Sequence, residues 1–281
     1  MKYLIRHETH LSYPTPVREH QCELRLKPRQ DGHQSVLRFN LETSPKAPVF
    51  QYTDSFGNEV HHFGILSPHS TLVTRMETEV ETFLENPFDY LPLSPEKERS
   101  ELKQRLIEDP ALHRFLFHRS PMVPDLRRLS LKGPDLPRYR ENAPLQESLL
   151  EAMRWMREYF NYRVGATPVH APLEEFFVNE EGVCQDFAHL MVALVRSWGF
   201  PARYVMGYQQ AAEATHAWSE VFIPGAGWRG MDATHSLMVN DTYIAVAVGC
   251  DSQDAAPQRG SYQGSGTQEG PEVNLQVVET Q

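Results

Sequence analysis

Gly182-Val183-Cys184-Gln185-Asp186-Phe187-Ala188-His189-Leu190-Met191-Val192-Ala193-Leu194-Val195-Arg196-Ser197-Trp198-Gly199-Phe200-Pro201 is the stretch on which the reading of this chain turns. Phe187, Leu190, Met191, Leu194, Val195 and Trp198 recur at the spacing of one helical face. Gly199 and Pro201 supply the stop. Cys184 therefore falls at the start of a helix. Free amide donors and the positive end of the helix dipole there favour a thiolate over a thiol. His189 lies on the same helix but is turned roughly 140° from Cys184, at about 100° per residue, so it is a poor base for that thiol. Asp186, two residues into the helix, suits the dipole without any further role.

Beyond the helix the period changes from helical to strand-like. Ala202 to Tyr208, His216 to Ile223, Gly227 to Asp232 and Tyr243 to Val248 read as strands, with Pro224-Gly225-Ala226-Gly227 as a hairpin turn. A helix followed by antiparallel strands is α+β. A nucleophilic cysteine needs an imidazole to take its proton and return it to a leaving group. His216, at the start of a strand, is the candidate. Asp232, across the hairpin, is the carboxylate that could hold one ring nitrogen and orient it. Each also has a structural reading: a small buried thiol, a packed strand histidine, a turn aspartate.

Upstream, residues 1–83 read as an antiparallel β-sandwich. Leu24 and Leu26 alternate with polar residues, Leu37, Phe39 and Leu41 share a face, and Thr71 to Thr82 is rich in β-branched residues. Turn signals stand at Tyr13-Pro14-Thr15-Pro16, Gln30-Asp31-Gly32 and Ser55-Phe56-Gly57-Asn58. No chemistry-bearing motif is apparent in this region. Residues 84–281 form the second unit, with helices expected over Pro95 to Glu108 and Gln146 to Phe160. Between these helices, a proline-rich segment near 120–143 is expected to wander and to be the favoured site of limited proteolysis. Val273 to Val278 can return as a last strand.

Lys plus Arg number 27 against 37 Asp plus Glu, a net charge of −10. That balance argues against nucleic acid and against a polybasic membrane contact. No apolar run approaches a membrane span, and the first ten residues lack the apolar core of a secretory signal. The three cysteines, Cys22, Cys184 and Cys250, form no disulfide framework, so a cytoplasmic location is expected. His61-His62 lacks any metal-ligand pattern around it, and neither a metal nor another cofactor is expected.

The blocks around Cys184, Gly199 to Tyr208, Thr215 to Val221, Gly227-Trp228 and Met231 to Thr234 resemble the transglutaminase-like superfamily, in the bacterial type that carries an N-terminal β-rich region. Tyr52 to Asn58 is similar to a motif of that region. The resemblance covers nearly the whole chain, with Cys, His and Asp in the family order. It implies a papain-like α+β core, with Cys184 as nucleophile, His216 as acid/base and Asp232 as orienter. The implied activity is that of a transglutaminase-like cysteine protease or amidase. Substrates would be peptides or amides, attacked through an acyl-enzyme that water resolves; resolution by an amine would make it a transglutaminase. A binding module retaining the fold is the non-enzymatic alternative. Trp218 and Trp228 are candidates to line the substrate groove, or equally to anchor the core. The family pattern Asp-Pro-Thr-Asn becomes Asp232-Ala233-Thr234-His235 here, which touches whatever contact the Asn makes. Met206 stands where relatives often carry Ser and is expected to alter the pocket wall. Relatives are often encoded beside enzymes resembling ATP-grasp peptide ligases, which points to a pathway of that kind.

Overall fold

The computed structural model describes residues 1–129, 135–265 and 270–280. In chain order the elements begin with β1 (Lys2–Leu24), β2 (Gln34–Ser44), β3 (Phe50–Thr53), β4 (Glu59–Ile65) and β5 (His69–Thr82). The helices α1 (Pro95–Glu108), α2 (Leu112–Phe117) and α3 (Leu145–Tyr159) follow. Then come β6 (Asn161–Tyr162), α4 (Leu173–Asn179), β7 (Glu181–Gly182) and α5 (Cys184–Ser197). The chain closes with β8 (Ala202–Gln209), β9 (His216–Ile223), β10 (Gly227–Asp232), β11 (Leu237–Met238), β12 (Tyr243–Gly249), β13 (Gln258–Gln263) and β14 (Glu272–Thr280).

The apolar face of α5 does what its period predicts. Phe187, Leu190, Met191, Leu194 and Val195 are all buried, and the helix lies on β8 and β9. Gly199 terminates it with φ +92°, a left-handed conformation that costs glycine little. Beneath α5 runs an antiparallel sheet in the order β11-β10-β9-β8-β12. Alternation along β8 sends its side chains to two places. Tyr204, Met206 and Tyr208 join the core of the N-terminal sheet, whereas Val205 packs with Trp218. Phe160 stacks on Phe176, which packs at a tilt against Phe187, where α3, α4 and α5 meet.

β1 organises the N-terminal half. Its first part pairs with β5 on one side and β14 on the other, and its last part pairs with β4 and β13. The sequence turn signal at Tyr13 to Pro16 is not a turn between strands. It is an irregularity inside β1, where the pairing with β5 slips between Ser12 and Val17. Proline lacks the N–H a regular ladder needs, so two prolines mark a bulge as readily as a chain reversal. The shared face expected of Leu37, Phe39 and Leu41 also breaks. The β2–β5 register shifts between Val36 and Arg38, which leaves Leu37 in the bulge and 52% exposed.

The unit expected over 1–83 recruits strands from the other end of the chain. β13 and β14 both pair with β1, so Gln258–Gln263 and Glu272–Thr280 complete the N-terminal sheet instead of extending the core. Residues 130–134 of the proline-rich connection lie outside the described residues. On its N-terminal flank the connection has no strand and only one turn of 3-10 helix, yet Met122, Val123 and Leu126 are buried in the helical core. Among the described residues no helix is long and apolar enough to cross a membrane.

Gly207, opposite His216 in the β8–β9 ladder, has no room for a side chain. A Cβ there would sit 2.2 Å from the Ile244 carbonyl oxygen and 2.5 Å from the Trp218 ring. Gly207→Ala is therefore expected to lower stability by about 1–3 kcal/mol, the usual cost of overpacking a filled core. Urea unfolding monitored by tryptophan fluorescence measures it.

Candidate active site

Cys184 is the first residue of α5, and its approach is fixed by Asp186. The Asp186 carboxylate accepts a hydrogen bond from the Val183 amide at 2.8 Å and another from the Thr167 hydroxyl. A donor group of the helix start is thus satisfied from within the first turn. Asp186 is buried, and that burial raises its pKa against the pull of these bonds. Cys184 is partly exposed and opens onto a cavity of about 470 Å³.

His216 begins β9 and lines the same cavity. Its Nε2 lies 2.8 Å from Asp232 Oδ2, and Cys184 is near enough on the same cavity wall to act on the ring's charge. With Nε2 committed to the carboxylate, Nδ1 is the nitrogen left for the thiol. Burial works against a charged imidazole here. Hydrogen bonds and charge from Asp232 and Cys184 outweigh it and push the His216 pKa up to about 9.

Asp232 ends β10 and is completely buried. Five donors surround it. Oδ2 accepts from His216, from His235 Nδ1 at 2.7 Å and from the Tyr243 hydroxyl at 2.8 Å. Oδ1 accepts from the Thr234 and His235 amides. Burial alone would raise its pKa, but the donors hold the carboxyl well below the usual carboxylate range. The departure at His235 thus has a definite contact: its imidazole occupies the open flank of the carboxylate. Tyr243 comes from β12 and escaped notice in the sequence, where it reads as one more strand aromatic.

His216, Asp232 and His235 are also the one group among the described residues whose ligating atoms cluster tightly enough for a metal, all within 4.8 Å. The contacts between them are hydrogen-bond contacts, and Tyr243 adds a third donor to the oxygen that a metal would need.

The two tryptophans do not reach the cavity. Trp218 is 1% exposed and packs behind His216, ring centroids 6.2 Å apart, in a cluster with Val205, Tyr243 and Val248. Trp228 sits between Phe115 and Phe222, with the Arg203 guanidinium 4.1 Å over its ring. Each shares its strand face with His216 or Asp232 but lies further along the strand, under other side chains, and of their two readings only the packing one matches these positions. His189 is buried and neutral, its Nε2 accepting from the Ser252 amide at 3.1 Å, so it braces the segment that forms one cavity wall. The N-terminal sheet, silent in the sequence, contributes His7, Thr9, Leu11 and His20 to the cavity.

A cysteine at a helix start, facing an imidazole on an antiparallel sheet with a carboxylate behind it, is the layout of papain-like folds. The chain belongs to the transglutaminase-like superfamily: that family's sequence profile matches residues 138–233, and the profile of the bacterial transglutaminase-like N-terminal region matches residues 3–81. An uncharacterized protein of Mycobacterium leprae is 31% identical, over 92% of this chain and 92% of its own length. An uncharacterized protein of Mycobacterium tuberculosis is 28% identical, over 92% of this chain and 87% of its own. The fold is similar to the crystal structure of a Cytophaga hutchinsonii protein described as a candidate cysteine protease. That match has a TM-score of 0.76 at 22% identity and covers 100% of this chain and 92% of the other.

Two outcomes follow from this geometry. Cys22 and Cys250 are buried, and burial pushes their thiols up to about 12 and about 11. Iodoacetamide at neutral pH is therefore expected to alkylate Cys184 ahead of both, as peptide mapping of the labelled protein will show. The second concerns pH. The folded-state pKa of His216, about 9, lies above its ordinary 6.5. Its contribution to stability is complete below pH 6.5 and is lost as pH rises through about 9. The gap in melting temperature between the wild type and His216→Asn should accordingly narrow across that window.

Proposed function

We propose that the protein is a thiol hydrolase of amide or peptide bonds, with Cys184 as nucleophile, His216 as acid and base, and Asp232 as the group that orients and charges His216. The observation that carries this reading is that Cys184 and His216 line one cavity, with the His216 ring bonded at 2.8 Å to the buried Asp232 carboxylate.

With its proton already held on His216 Nδ1, Cys184 Sγ bonds to the carbonyl carbon as the carbonyl π pair moves to oxygen. The amides at the very start of α5, ahead of Asp186 and Phe187, which donate to the Val183 carbonyl, are the natural donors to that oxyanion. Collapse breaks the C–N bond, and the amine leaves with the proton from Nδ1. Water then attacks the thioester, gives a proton to Nδ1, and releases the acid as the Cys184 thiolate and the His216 imidazolium are restored. Asp232 keeps Nε2–H occupied throughout, which fixes the ring's orientation and supports the imidazolium. Hydrolysis is favoured over transfer to an amine because no Asp or Glu is among the described residues lining the cavity. A cationic amine such as lysine would find no counter-charge there.

Turnover of a fluorogenic peptide amide by single and double variants tests the assignment. Cys184→Ala and His216→Ala should each lower kcat/KM by a factor on the order of 10⁴ or more, and Asp232→Ala by less. The double variant His216→Ala plus Asp232→Ala should be hardly worse than His216→Ala alone, because the two act as a unit. Strictly additive losses would remove Asp232 from the mechanism. Diversion of the acyl group to added amines, faster than to water, would make the enzyme a transferase. Unchanged turnover in Cys184→Ala would remove Cys184 from the mechanism, and no turnover or acylation by the wild type would leave the fold as a binding module.

A further inference from the structure

The cavity beside Cys184 is built by both halves of the molecule. The core supplies Met206 and Ala217, and the N-terminal sheet supplies Thr9, Leu11 and Tyr262. Its volume of about 470 Å³ lies within the roughly 300–1,000 Å³ of ligand pockets. Among the described residues that line it there is no Asp, Glu, Lys or Arg. The charged imidazole of His216 at its edge is already paired with Asp232, so an ionised group entering the cavity would lose water and gain no free partner of opposite charge, a costly exchange.

The histidines on this wall do not supply a charge. His7 is 4% exposed, and burial lowers its pKa to about 4, so it is neutral at physiological pH. Burial and the adjacent His69 likewise lower the pKa of His20. The tautomer of His7 follows from its neighbours. The Tyr208 hydroxyl donates to the Leu26 carbonyl at 3.3 Å and lies 3.2 Å from His7 Nδ1. Since the hydroxyl proton goes to Leu26, Nδ1–H must be the donor to the Tyr208 oxygen. The neutral ring then carries a bare acceptor at Nε2, which has no protein partner among the described residues. An imidazole that lines the cavity with one nitrogen satisfied and the other free to accept calls for an N–H on whatever fills the space.

We propose that this cavity is the acyl-side specificity pocket of the enzyme, that it takes an uncharged apolar side chain of a peptide, and that His7 accepts a hydrogen bond there from a substrate N–H. The inference rests on Cys184 being the nucleophile. It makes the N-terminal sheet part of the substrate site and β1 the strand that selects the substrate.

The test uses full-length protein and acetyl-dipeptidyl acyloxymethyl ketones with Leu, Phe, Glu or Lys beside the reactive carbonyl, Cys184 labelling being read by intact mass. Leu and Phe probes should label about ten-fold faster or more than Glu and Lys probes. His7→Leu should slow the Leu probe about ten-fold yet leave its N-methylated counterpart unchanged, and His7→Gln, which restores an acceptor, should recover part of the loss. The wild-type comparison stands even if a His7 variant does not fold. Equal rates for all four probes, or a faster Glu or Lys probe, would overturn the pocket while the thiol-enzyme reading stands. Alkylation of Cys184 by iodoacetamide but by no peptidyl probe would bring down both.

Discussion

A carboxylate with no access to water dictates the arrangement of this molecule's centre. Asp232 is 0% exposed, and an ion in that position is tolerated only when its lone pairs are engaged. Five donors engage them, from β9, from the turn after β10 and from β12. The hairpin, the tight turn at 233–235 and the neighbouring strand must therefore all be in place before the site is electrostatically sound. The positive charge on His216 is a consequence of the same burial. Once the carboxylate is shielded from solvent, the imidazole beside it is the cheapest place for a counter-charge.

A second constraint comes from β1. One strand serves both layers of the N-terminal sheet, and the core of that sheet runs on without a break into the side chains of β8. Tyr204, Met206 and Tyr208 belong to the central sheet by backbone and to the N-terminal unit by packing. The two halves are distinct in the sequence and continuous in their interior, so the cavity at their junction is a product of the fold as a whole.

What the sequence made legible was local. The helix at Cys184, the strands at His216 to Ile223 and Gly227 to Asp232, and the hairpin between them appear with the expected bounds. Their period and their punctuation by Gly and Pro are short-range signals. The three residues singled out for chemistry, Cys184, His216 and Asp232, come together. What was not legible depends on distance along the chain. Nothing near Tyr243 says that its hydroxyl will meet Asp232, and nothing near His7 says that it will face a cysteine on a helix far downstream. The short helices α2 and α4 carry too few turns to show a period. Trp218 and Trp228 drew attention by their chemistry. Their strand faces are those of His216 and Asp232, and what covers them there, Tyr243 over Trp218 and Phe115 over Trp228, comes from elements that the local pattern does not name.

The pairing of β14 with β1 joins residues as far apart as Lys2 and Thr280. Contacts of such long sequence separation are slow to form, because most of the chain must be ordered before they contribute. β1 sits between β5 and β14, so during synthesis it has one neighbour for a long time and an open edge on the other side. The sheet closes only when the final strand is free to dock. Since Val273 of that strand borders the cavity, the thiol at Cys184 is made early but gains a finished binding wall last. A nascent chain thus carries the nucleophile well before it has a complete site in which to use it.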